Sequence, residues 1–139
     1  MKSDSRSKRR SGCPLNAALE MVGDRWSLLI VRDLMLQGRR TYREFLAGGE
    51  RIATNILADR LARLERLGIL ARARDPADGR RTLYKLTEKG IDLAPTLIEL
   101  VLWAARHEET AAPAALLDDM KHHRGRFLAR LRREWAAMR

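Results

Sequence analysis

Aromatic residues make up only 5% of this 139-residue chain, and there is a single cysteine. Proteins that hold RNA or single strands present aromatic platforms on which bases stack. The few aromatics here fall mostly inside apolar stripes, so that class has little support. One cysteine cannot form an internal disulfide, which separates the chain from disulfide-stapled secreted domains. No run reaches the roughly 18 apolar residues of a membrane span. The first dozen residues lack an apolar signal core. A cytoplasmic location without a membrane partner is expected. Catalytic chemistry is missing too: there is no paired acid and base, glycine-rich phosphate loop or nucleophile motif. No enzyme activity and no cofactor are expected. His107, His122 and His123 have no ligand pattern around them, so they read as solvated histidines rather than a metal site.

The last shortage is of negative charge. Eighteen acidic residues stand against 28 basic ones, a net charge of +10. Such a surplus favours a polyanionic partner, and nucleic acid is the commonest. A basic surface without a specific ligand would give the same composition.

Pattern separates these readings. Leu57, Leu61 and Leu64 are spaced for one face of a helix starting at Ala53 or Thr54, and Gly68 stops it. Residues 69–74 alternate apolar and basic, as a half-exposed strand does. Asp75-Pro76-Ala77-Asp78-Gly79 is turn chemistry, and residues 82–86 return as a second strand. A helix followed by a two-stranded basic wing points to a reader of double-stranded DNA.

Upstream, residues 1–12 form a basic arm with Lys2, Arg6, Lys8, Arg9 and Arg10, too polar to order itself. Cys13 precedes Pro14 as the cap of a first helix ending at Gly23. Asp24 caps a second helix over 25–36, with Trp26, Leu29, Ile30 and Leu34 as its apolar set and Leu28 and Val31 flanking. Thr41 and Glu44 make a capping box for a short helix carrying Tyr42, Phe45 and Leu46. Downstream, Thr87 caps a helix whose stretch 91–105 is apolar nearly all round, with Gly90 as an early weakness. A small monomer has little to bury such a helix with, so a subunit interface is expected. Pro113 starts a last helix with Leu117, Met120, Leu128, Leu131, Trp135 and Met138 on one stripe. Trp26 and Trp103 could line a ligand cavity, although such a stripe is more often plain core.

The helix 53–67 would enter a major groove about 12 Å wide, where short outer side chains are needed. Thr54, Asn55, Ala58 and Asp59 are the candidate base contacts. Asn pairs bidentately with adenine, Thr packs on a thymine methyl, and Asp accepts from cytosine. Asp59 also has a local alternative, orienting Arg63 four residues on. Arg43, Arg63, Arg66, Arg72, Arg74, Arg80 and Arg81 are the candidate contacts to phosphate and through the wing 72–82, which would put Arg at the negative minor groove. Arg66 suits an ordinary solvated helix face equally well.

The motifs Cys13-Pro14, Gly23-Asp24-Arg25-Trp26, Tyr42-Arg43-Glu44-Phe45, Leu57-Ala58-Asp59-Arg60-Leu61, Leu64-Glu65-Arg66-Leu67-Gly68 and Tyr84-Lys85-Leu86-Thr87-Glu88-Lys89-Gly90, with Trp103-Ala104, resemble the HxlR family of bacterial regulators. That family is a branch of the MarR-like winged-helix proteins, and the resemblance covers roughly 13–107. It implies a mainly α fold with a small β-wing (α+β): a winged helix-turn-helix domain over 13–105 flanked by N- and C-terminal dimerisation helices. Residues 106–139 would be a C-terminal helical extension, for dimerisation or an accessory role. The implied function is a sequence-specific transcriptional regulator, commonly a repressor, acting as a homodimer on a pseudo-palindromic operator. A non-specific nucleoid-type DNA-binding protein is the alternative. Leu15, Leu97, Leu100, Val101 and Ala104 would form the dimer interface. The recognition helix departs from the family at Ala53, Thr54 and Asn55, so no operator sequence carries over. The wing is closer to the general MarR form. In several relatives the cysteine at position 13 senses oxidants or electrophiles. Its place at a helix start after Lys8, Arg9 and Arg10 favours thiolate, whereas a buried, inert cysteine is the alternative. An oxidant or small molecule is therefore an expected effector.

Overall fold

The computed structural model describes residues 9–138, which form eight helices and one two-stranded sheet. Lys2, Arg6 and Lys8 of the basic arm lie outside the described residues. In order, the elements are α1 (Pro14–Val22), α2 (Ser27–Leu36), α3 (Tyr42–Leu46), α4 (Thr54–Arg66), β1 (Leu70–Arg74), β2 (Thr82–Leu86), α5 (Glu88–Ile91), α6 (Ala94–His107), α7 (Ala114–His122) and α8 (Arg124–Ala137). The fold is a winged helix with added helices at both ends.

Local chemistry accounts for most of these boundaries. Pro14 begins α1 with Cys13 as its extended N-cap, since a missing N–H costs nothing in a first turn. Thr41 and Glu44 form the expected reciprocal capping box on α3, worth about 1 kcal/mol. Gly68 ends α4 at φ +73°, a conformation that glycine adopts without a Cβ clash. Asp24 does cap α2, accepting from the Trp26 and Ser27 amides. The regular helix starts at Ser27, two residues later than expected, because those first residues are held in the capping turn.

The first core gathers Ile30, Val31 and Leu34 of α2, Phe45 of α3, and Leu57, Leu61 and Leu64 of α4. Leu70, Leu86 and Ile91 close it. Val31 is fully buried and central, not flanking, while Trp26 and Leu29 are only half-buried. A second core joins Ala94, Ile98 and Leu102 of α6 to Met120, Phe127 and Leu131. Residues 113–138 thus fold back on their own chain.

Four expectations of local structure need correction. The stretch after Thr87 is two helices, because Pro95 in the first turn of α6 has no amide to continue the run from α5. Gly90 is a point of close approach: a Cβ there would sit 2.2 Å from the Ile69 carbonyl oxygen. The last helix is also two, broken at His123, which turns at φ −130°, ψ 36°. Past Leu70, β1 is exposed on both faces instead of half-buried, since no layer covers the wing.

Candidate nucleic-acid interface

The candidate recognition helix, α4, is held by polar contacts that its own sequence pattern does not reveal. Asp24 accepts from the Ser27 hydroxyl at 2.5 Å, and Arg60 Nε on α4 donates to it at 2.9 Å. Burial alone would raise the pKa of this carboxyl. The Ser27 hydroxyl, the Arg60 guanidinium and the two backbone amides outweigh that and bring it down to about 2. Arg63 donates to the Glu20 and Met21 carbonyls at the end of α1 and lies 3.8 Å from Asp24. Tyr42 Oη donates to the Thr54 carbonyl at 2.9 Å, fixing the start of α4 from α3. Asp33, buried near the end of α2, accepts from Arg32 and Arg39 and so fixes the α2–α3 connection. Asp24 and Arg60 are 36 residues apart. Only Arg60's place beside the Leu57–Leu61–Leu64 stripe hinted that it faces the protein.

With α4 held this way, Thr54, Asn55, Ala58 and Asp59 are all exposed on its first two turns. Ala62 and Arg66 continue that face. Asp59 pairs with Arg60, not Arg63, because Arg63 is turned back to α1. Among the expected basic contacts, Arg63 is therefore occupied within the chain, whereas Arg43 and Arg66 stand exposed.

The wing is an antiparallel pair with Leu70 opposite Leu86, Arg72 opposite Tyr84 and Arg74 opposite Thr82. Arg40 shields the outer edge of β2: its carbonyl accepts from Tyr84 N at 2.8 Å, and its Nε donates to Tyr84 O at 3.1 Å. Asp75 organises the tip. Its buried carboxylate accepts from Ala77 N and from Arg81 Nε and Nη2. The Ala77 amide first, and then Arg81, hold this carboxyl below its ordinary pKa. Arg81 therefore braces the turn, and Arg80, 95% exposed, projects from it. Arg72 reaches Glu65 of α4 at 3.3 Å, tying wing to helix, and Arg74 Nη1 donates to the Gly79 carbonyl.

Away from these contacts in sequence, Leu15 (67% exposed) and Leu19 of α1 and Leu100 and Trp103 (58% exposed) of α6 are uncovered. Trp103 is thus not core. Of the expected interface residues, Leu97 is buried in the chain's own core. Leu15 and Leu100 are exposed, and Val101 and Ala104 are half-buried. Cys13 is exposed on the single chain. Asp118, half-buried Asp119 and His123 cluster at the α7–α8 corner, so carboxylates do stand beside His123, contrary to the sequence expectation, although such acidic surface groups are common without an ion. Among the described residues, no helix is long and apolar enough to cross a membrane.

Comparison with known proteins agrees with this geometry. Residues 21–112 match the model of the HxlR-like helix-turn-helix family. The HTH-type transcriptional regulator MT3179 of Mycobacterium tuberculosis is 35% identical over 117 residues, 84% of this chain and 72% of that protein. The structure of the transcriptional regulator YodB of Bacillus subtilis in its reduced form superposes with a TM-score of 0.58 at 30% identity. The match covers 73% of this chain and all of the other. YodB has also been solved after diamide treatment and with quinone bound. The redox regulator HypR in its oxidized form gives a TM-score of 0.62 at 25% identity, covering 70% of this chain and all of that one. The chain belongs to the HxlR-like helix-turn-helix family and is a transcriptional regulator with a winged-helix DNA-binding domain.

Proposed function

We propose that this regulator is a homodimeric repressor that reads a pseudo-palindromic operator and is released by oxidants through Cys13. The observation that carries the reading is the outer face of α4. Thr54, Asn55, Ala58 and Asp59 are exposed together, on a helix held in place by Arg60, Arg63 and Tyr42. Asn55 and Thr54 meet base edges in the major groove, and Asp59 approaches a cytosine amino group. Arg80 follows the minor groove or backbone from the wing tip, where negative potential is strongest. Arg43 and Arg66 supply phosphate contacts, with Arg72, Arg74 and Arg81 nearby on the wing, while Arg63 positions the helix.

The uncovered leucines of α1 and α6, with Trp103, form the face that a second copy covers. Two subunits related by a two-fold axis place two α4 helices on one side of the duplex. Half-sites one helical turn apart follow from that arrangement. Footprinting of the DNA upstream of the gene should show two protected half-sites about 10 base pairs apart, centre to centre, or a multiple of that. Uniform protection without boundaries would contradict the reading.

Cys13 lies at the start of α1 and is exposed. YodB and HypR, regulators solved in different redox forms, are among the similar structures. The chain has one cysteine, so oxidation links two Cys13 residues across subunits or joins one to a small thiol. In the first case two thiols lose two protons and two electrons to form one disulfide, and diamide takes them up to become the hydrazine. Diamide should lower operator affinity of the native protein and leave Cys13→Ser unaffected. Equal release of both proteins would remove Cys13 from the mechanism.

A further inference from the structure

We propose that the crease between α8 and the winged-helix core binds a compact lipophilic amine, and that Trp135 relays its occupancy to the wing. The relay half rests on the DNA-reading function above; the site itself does not. The crease has a volume of about 260 Å³ and is walled by Leu34, Met35 and Leu36 at the end of α2, Leu86 at the end of β2, and Leu131 and Trp135 of α8. An apolar cavity of roughly 150 Å³ accommodates benzene, so this one accommodates a ring with a short chain. The α8 wall comes from residues beyond the 21–112 that match the family.

A carboxylate and two helix ends favour an ammonium at the rim of the crease, opposite the cations Lys85 and Arg132 that already lie over its indole. Glu134 is the one ionisable side chain among its described lining residues. Its basic neighbour, Arg130, approaches only to 3.9 Å. In addition, α2 ends beside the crease at Leu36 and α8 at Ala137. The last carbonyls of a helix have no intrahelical partner and form the negative end of its dipole. Lys85 Nζ donates to the carbonyl of Met138, the extended residue that follows α8, at 2.6 Å. An ammonium at the rim and a ring against the leucines and the indole satisfy both parts of the lining.

Trp135 connects this site to the wing. Its Nε1 donates to the carbonyl of Leu86, the last residue of β2, at 2.7 Å. Lys85 lies over its ring at 5.4 Å and Arg132 at 5.9 Å. A molecule seated against the indole therefore acts on the group that holds the base of the wing.

Benzylamine is the probe, added to the isotope-labelled full chain without DNA. The Trp135 indole resonance, assigned through Trp135→Phe, is followed. Benzylamine should shift it saturably, while benzoate should not. Glu134→Gln, at an exposed position, should weaken benzylamine about three- to fivefold, the loss of one solvent-accessible ion pair. Met35→Trp should fill the crease and abolish the response. The absence of a saturable shift, a benzoate response equal to that of benzylamine, or unchanged affinity in Glu134→Gln would overturn the site. With the site saturated, operator and shuffled duplexes should change affinity in the same direction and by similar factors. Unchanged DNA affinity at saturation would overturn the relay. Loss of all DNA binding by the ligand-free protein would overturn the DNA reading and leave the amine site standing.

Discussion

At the scale of single residues, the division between specifying and positioning contacts can be tested on two side chains. Asn55 is exposed in the first turn of α4 and Arg80 projects from the wing tip. Asn55→Ala should cost about 1–3 kcal/mol on the operator and little on shuffled DNA. Arg80→Ala should weaken both duplexes alike and reduce the salt slope by about one. Competitive titrations on both duplexes distinguish them. Equal loss on both for Asn55→Ala would remove it from base readout. The candidate base contacts were legible in the sequence because they follow from helical periodicity alone. The fate of each arginine was not. Arg63, Arg66 and Arg81 look alike in the chain, and only the fold shows that Arg63 faces α1, Arg81 faces Asp75 and Arg66 faces solvent.

At the scale of elements, Asp24 is the joint between α2 and α4. Its carboxyl is 22% exposed, and its pKa is depressed from 3.8 to about 2. A depressed carboxylate contributes stability above its unfolded pKa and loses it as the pH falls through the folded one. Asp24 should therefore contribute roughly 2 kcal/mol near neutrality, lost between about pH 4 and pH 2. Urea unfolding of the native chain and Asp24→Asn should show a stability gap at pH 7 that narrows as the pH approaches 2. A gap independent of pH would mean that the shape of the side chain matters and its charge does not. Helices α1, α3 and α4 were readable from caps and apolar spacing. The breaks at Pro95 and His123 were not, because both stretches keep their apolar repeat through the break. Burial on one chain then divides each stretch into two packing faces.

At the scale of the molecule, charge and shape point the same way. A net charge of +10 attracts any duplex, and in the function proposed above the exposed face of α4 decides which one is kept. The all-round apolar character of 91–105 turns out to serve two surfaces. Leu97, Ile98 and Leu102 pack inside the chain, while Leu100 and Trp103 remain open. The sequence pattern could not divide these, because the inner partner, residues 113–138, lies beyond the helix and its approach is set by the turn at His123. Fluorescence anisotropy with a duplex from upstream of the gene and a shuffled duplex, across a salt series, separates sequence-specific binding from binding by charge alone. A sequence-specific regulator should discriminate about a thousandfold or more, and the discrimination should persist as salt rises. Equal affinity for both duplexes, falling steeply together with salt, would contradict it.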